Sequence, residues 1–206
     1  MNTLNQTEQI MKTTALERLQ KHMPEDIAER CNLIYEKNRQ CFHFSGLFGD
    51  ILIQYPSFKI SPTPDFWYEI VLLHYLDFCD GSAGGEQYLP LAVFKDGTVR
   101  GSDFDRKCNR MIADFCRGVE EKTVKEACFA LGGKETEGKG DLNVIFPVLP
   151  KYRLLLRIWF EDDELPPSGV LLFREGADHY LSMEDSVVIG EWLMTSLRDK
   201  IKMMTN

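Results

Sequence analysis

The stretch Tyr152–Phe160, YRLLLRIWF, restricts the architecture more than any other part of the chain. Strand side chains alternate between faces. Tyr152, Leu154, Leu156, Ile158 and Phe160 therefore share one side, and Arg153, Leu155, Arg157 and Trp159 the other. The first side is apolar throughout and requires a core. The second combines two arginines with an apolar end. Upstream, Leu142–Pro147 places Leu142, Val144 and Phe146 on one face, and downstream Gly169–Arg174 is a short apolar run suited to a central strand. Between the last two runs, Glu161–Ser168 (EDDELPPS) carries four carboxylates and two prolines. Proline has no N–H for a ladder, so this segment reads as a loop. The expectation is a three-stranded antiparallel meander.

A helix follows. Ser182 and Asp185 have capping-box spacing, with Glu184 and Asp185 at the positive end of the helix dipole. Val188, Ile189, Trp192, Leu193, Leu197, Ile201 and Met204 recur at three- and four-residue steps, and Arg198, Lys200 and Lys202 close the helix. An apolar stripe this wide needs a cover, and the sheet supplies one. The fold class expected is α+β: an antiparallel sheet packed against amphipathic helices.

A chain of 206 residues suits one domain, 1–206, or two small ones. Its net charge of -8 argues against gripping nucleic acid by charge alone. The first residues show no signal-peptide pattern, and no apolar run approaches the ~20 residues that span a bilayer. No nucleic-acid or membrane partner is expected, and the expected compartment is the cytoplasm. Cys31, Cys41, Cys79, Cys108, Cys116 and Cys128 form no C-x-x-C pair, which in that compartment reads as six reduced, partly buried thiols.

The remaining elements read as follows. Residues 5–23 suggest a peripheral helix with a modest apolar face, and Pro24 starts a second helix reaching Cys31. Strands are expected over Cys41–Ser45 and Asp50–Tyr55, joined by a turn at Gly46-Leu47-Phe48-Gly49. Thr63 and Pro64 are placed to start a buried helix containing Phe66, Trp67, Ile70, His74 and Leu76. Asp80–Gly85 is a glycine-rich loop that either divides the chain into halves, 24–80 and 86–206, or lies on the surface. Tyr88–Phe94 reads as a strand, Ser102–Arg117 and Val119–Leu131 as helices, and Lys134–Gly140 as a polar loop. Gly49-Asp50-Ile51…Tyr55-Pro56 echoes Gly140-Asp141-Leu142…Phe146-Pro147. Duplication of an α+β unit and ordinary strand grammar both produce such an echo.

No established catalytic motif is present. Arg153, Arg157 and Trp159 form the leading ligand-binding candidate. The two arginines lie roughly 13 Å apart on one strand face at ~3.3 Å per residue. Guanidinium makes paired hydrogen bonds to carboxylates, and an aromatic beside it suits a planar anion. The alternative is a partly solvated face with ion pairs. Asp141 and Asp50, after glycines at strand starts, are either carboxylates with a chemical role or turn residues. His74 and Cys79, with His43 or His179 as a third group, offer soft ligands, but the spacing reads as core and no metal site is assigned. The acidic run Glu161–Glu164 reads as a solvated loop tip.

The order Gly140-Asp141, Phe146-Pro147, Leu149-Pro150, Arg157-Ile158-Trp159, Asp162-Asp163-Glu164, Pro166-Pro167 and Val170-Leu171-Leu172-Phe173, then Tyr180-Leu181 and Glu184-Asp185, resembles a family signature. The family is a domain of unknown function found mainly in anaerobic bacteria and archaea. Leu73, Tyr75-Leu76 and Phe104 extend the resemblance, which covers about Ile27 to Ile201. It implies no agreed activity and supplies no catalytic residues. Some relatives carry an added cysteine-rich iron–sulfur segment, and this chain has no such cluster. The resulting expectation is an accessory domain of anaerobic metabolism that binds a small cofactor-like ligand or a partner protein. The cofactor is unknown. The alternative is an enzyme in which Asp141 or Asp50 meets His43, His74 or His179.

Overall fold

In the computed structural model, which describes residues 6–46 and 49–205, the YRLLLRIWF stretch is the middle strand of an antiparallel sheet. The elements begin with α1 (Gln6–Leu19) and α2 (Pro24–Cys31). Then come β1 (Ile34–Glu36), β2 (Cys41–Gly46), β3 (Gly49–Gln54), β4 (Lys59–Ser61) and α3 (Phe66–Phe78). They continue with β5 (Tyr88–Leu89), α4 (Arg100–Cys116), α5 (Glu121–Ala130), β6 (Lys134–Glu135), β7 (Leu142–Pro147), β8 (Arg153–Trp159), β9 (Ser168–Arg174) and α6 (Met183–Thr205). One sheet has the order β1-β2-β3-β4 and the other β5-β9-β8-β7-β6, all pairs antiparallel. The class is α+β. No helix among the described residues is long and apolar enough to cross a membrane.

The expected meander is β7-β8-β9, with Val144 opposite Leu156 and Leu156 opposite Leu171. Its apolar face carries Leu154, Leu156, Ile158, Phe146, Val144 and Phe173, all buried. Helix α4 lies on β9, where a side chain at Gly169 would run into Ile112. Phe104 meets the Phe173 ring at 5.8 Å, and Tyr152 meets the same ring at 6.2 Å. Helix α6 crosses over α4 with Gly190 against the Phe104 ring. Ile189, Leu193, Leu197 and Ile201 of the expected stripe are buried, together with Val187 and Met194, while Trp192 is half-buried and Met204 exposed.

The capping box forms as read. The Ser182 Oγ accepts from Asp185 N–H at 3.2 Å, and the Asp185 carboxylate accepts from Ser182 N–H at 3.3 Å. Helix α1, expected at the periphery, docks on α3 with Ala15 and Leu19 buried in the core. One apolar cluster links Phe42, Phe44, Ile51 and Ile53 of the first sheet with the second sheet and its helices.

Four local expectations change. Tyr88–Phe94 is a strand only to Leu89. After Pro90 the chain turns into a 3-10 segment at Leu91–Val93, because the Asp105 carboxylate takes the N–H groups of Leu91 and Ala92 at 3.1 and 3.0 Å. Helix α3 is capped by Asp65, whose Oδ1 accepts from Tyr68 N–H at 3.1 Å, and not by Thr63. Lys134 and Glu135 pair with Ile145 and Val144 as a short edge strand. The six cysteines are free and all buried. Gly46 pairs with Gly49 in the β2–β3 hairpin, while Leu47 and Phe48 of the expected turn lie outside the described residues. The two echoing segments occupy unlike places: Gly49-Asp50 opens the third strand of the first sheet, whereas Gly140-Asp141 precedes β7, which pairs with β6 and β8.

Candidate functional site

The second sheet has a face that points away from the helices. Alternation puts Arg153, Leu155, Arg157 and Trp159 of β8 on it, with Leu172 and Val170 of β9 and Ile145 and Asn143 of β7 opposite them. Leu155 and Leu172 are only 5% and 6% exposed, yet neither belongs to the continuous core. The stems of long flanking side chains can cover such apolar positions while their charged ends remain wet.

Beyond the Leu154–Phe173 pair, the next positions are Arg153 and Arg174, with Tyr88 opposite Arg174. Tyr88 senses both guanidinium groups: burial raises its hydroxyl pKa, and Arg153 and Arg174 act against that rise. Neighbouring like charges across strands are unfavourable without an anion between them. Among the described residues none of Arg153, Arg157 and Arg174 is ion-paired with a carboxylate.

Arg157 Nε donates to Asn143 Oδ1 at 3.0 Å, and Asn143 Nδ2 donates to Gly140 O at 3.0 Å, which fixes the arginine stem over β7. That bond uses one of five guanidinium N–H groups. Arg153 is exposed and Trp159 half-buried. Asp141 sits beyond the start of β7, where its carboxylate accepts from Phe160 N–H at 2.9 Å. It therefore ties β7 to the end of β8, next to Arg157 and Asn143.

The histidines divide into three settings. His43 Nε2 lies 3.9 Å from Asp50 Oδ1 on the exposed side of the first sheet, so that carboxylate–histidine pair does come together. His179 Nδ1 lies 2.8 Å from Asp80 Oδ2. His74 Nδ1 lies 2.7 Å from Asp185 Oδ1 and stacks on Phe78. Asp185 is 5% exposed, and its second oxygen also accepts from Ser182 Oγ at 2.5 Å. No cluster of three or more histidine, cysteine or acidic side chains suited to a metal occurs among the described residues. The His74–Cys79 pair is split, with Cys79 facing α2: its thiol lies 2.9 Å from the Arg30 carbonyl.

Between α3 and α6, Asp65, Trp67, Val188, Glu191, Trp192 and Thr195 line an open cavity of about 420 Å³. The sequence showed both tryptophans but not their approach, which follows from the antiparallel packing of two helices far apart in the chain.

These features define an α+β protein with an arginine-bearing outer sheet face. A family model described as a domain of unknown function, DUF3786, matches residues 23–196, and the chain belongs to that family. No curated protein and no solved structure matches it.

Proposed function

We propose that the chain is an accessory binding domain of anaerobic metabolism that holds a small, planar, anionic, cofactor-like ligand on the outer face of the five-stranded sheet. The observation that carries this reading is the placement of Arg153 next to Arg174, with Arg157 on the same face and no carboxylate paired to any of them. Guanidinium groups bind carboxylate and phosphate through paired hydrogen bonds. Half-buried Trp159 on the same face offers an aromatic surface to a planar ring system. The anaerobic setting rests on the family resemblance.

The test is a thermal-shift panel of planar carboxylates and phosphates, flavin mononucleotide among them, run on the wild type and on an Arg153→Ala, Arg157→Ala double variant. A member of the panel is expected to raise the wild-type Tm and to leave the variant unmoved. A panel with no stabilising member, or one acting equally on both proteins, contradicts the reading.

The part-buried His74–Asp185 pair supports a second reading, an enzyme. A carboxylate on Nδ1 orients a histidine for proton transfer through Nε2. A hydrolase or transferase activity lost in His74→Ala, with the fold intact, would select this reading over the first.

A further inference from the structure

Helices α3 and α6 are pinned at one point and leave a cavity at another. The pin is the His74–Asp185 bond at 2.7 Å. Trp67 lies two helical turns before His74, and Trp192 lies two turns after Asp185. Positions two turns apart share a helix face. The two tryptophans therefore sit on the faces that the pin brings together, and both line the same cavity of about 420 Å³. That volume falls in the range of small-molecule sites.

Trp67 is 50% exposed, and Trp192 is half-buried with its apolar part packed on the core. A single exposed apolar side chain is ordinary on a protein surface. Two tryptophans on one cavity, contributed by two helices, are not.

The charge around the cavity has one sign. Among the described residues its lining includes two carboxylates, Asp65 and Glu191, and no lysine or arginine. Asp65 Oδ1 accepts from Tyr68 N–H at 3.1 Å, which caps α3 and offsets the positive end of that helix. Glu191 Oε1 accepts from Lys107 Nζ at 2.8 Å on the α4 side. Among the described residues no hydrogen bond engages the second oxygen of either acid.

We propose that this cavity binds a small methylated ammonium cation, with Trp67 and Trp192 beside its methyl groups and Asp65 and Glu191 balancing its charge.

The lining selects that class over other cations. A primary ammonium brings three N–H donors, each of which needs an acceptor once its water is lost. Two free carboxylate oxygens on an open, aromatic-walled cavity do not supply a full set. A quaternary ammonium has no N–H group to satisfy. Its charge is spread over its methyl groups, and the indole ring is the strongest aromatic partner for such a cation. Val188 adds an apolar contact at the base of the cavity. An anion is disfavoured by the two acids, so this site and the arginine-bearing sheet face take ligands of opposite charge and stand or fall separately.

The experiment follows the indole N–H resonances of the full-length, nitrogen-15-labelled chain during titration with choline chloride at constant ionic strength. Saturable shifts are expected at Trp67 and Trp192, with Trp159 on the outer sheet face unmoved. The uncharged isostere 3,3-dimethylbutanol should bind at least ~5-fold more weakly, because it lacks the cation–π attraction. Ethanolamine should also bind more weakly than choline. Trp67→Leu, at a half-exposed position, should abolish the choline response at Trp192. Asp65→Asn retains a good N-cap and should weaken choline several-fold. Equal affinity for choline and either comparison compound, an Asp65→Asn variant that binds as wild type, or the absence of saturable shifts at Trp67 and Trp192 overturns the proposal.

Discussion

His74 Nδ1 lies 2.7 Å from Asp185 Oδ1, which joins the middle of α3 to the first turn of α6 across 111 positions of sequence. The same carboxylate closes the capping box with Ser182, so one buried acid both starts α6 and docks it. Asp185→Ala removes the cap and leaves His74 without its partner. The expected loss of stability is ~2–3 kcal/mol, combining a helix cap with an unsatisfied buried group. Urea unfolding of the variant beside wild type measures it. A loss below half of that would show that the pair is incidental.

Tyr75 occupies a similar joint. Its hydroxyl donates to Cys31 O at 2.8 Å and accepts from Lys151 N–H at 3.1 Å, with the side chain fully buried. Tyr75→Phe keeps the ring and orphans both backbone groups. A destabilisation of ~1–3 kcal/mol is expected, measured by the shift in denaturant midpoint.

Gly190 brings α6 against Phe104 of α4. A methyl group there would overlap the ring of Phe104, which is buried in the core. Gly190→Ala should cost ~1–3 kcal/mol despite alanine's better helix propensity, and Tm should fall. A Tm equal to or above that of wild type would place the two helices further apart than described.

The Asp80–Gly85 loop, held at the surface by the Asp80–His179 pair, should respond to pH at both ends of the acid range. Burial raises the Asp80 carboxyl, but the N–H and hydroxyl of Ser82 and then His179 outweigh this and bring it down to about 2. A depressed acid stabilises above its ordinary value of 3.8, and that stabilisation fades as pH falls toward 2. His179 is raised above 6.5, chiefly by its hydrogen bond to Asp80. A raised base stabilises below 6.5, and that stabilisation fades as pH climbs through the raised value. The loop is therefore held best between about 4 and 6.5, by less than ~1 kcal/mol because both groups are half exposed. Hydrogen exchange of the Gly81–Gly85 amides, corrected for intrinsic pH dependence, should be slowest in that window. His179→Gln should abolish the upper limb.

The sheet and its covering helix were readable because their signals are local. Period-two alternation at Tyr152–Phe160 and the Ser182–Asp185 box each lie within one element. The edge strands were not readable, since a two-residue strand such as Lys134–Glu135 carries no period. Tyr88–Phe94 misled because Asp105, a residue on α4, captures the backbone N–H groups a strand would have used. Arg153, Arg157 and Trp159 could be placed on one face from spacing alone. Their neighbour Arg174 could not, because it reaches that face only through the β8–β9 register.

The claim on which the account rests is that the sheet face binds a planar anion through Arg153 and Arg157. Side-chain Nε resonances of the assigned, nitrogen-15-labelled protein, followed during titration with isophthalate, test it most directly. Saturable shifts at Arg153 and Arg157, with Arg39 and Arg106 unmoved, are predicted. Shifts of equal size at all four arginines, or none at Arg153 and Arg157 when the anion is in large excess, would contradict it.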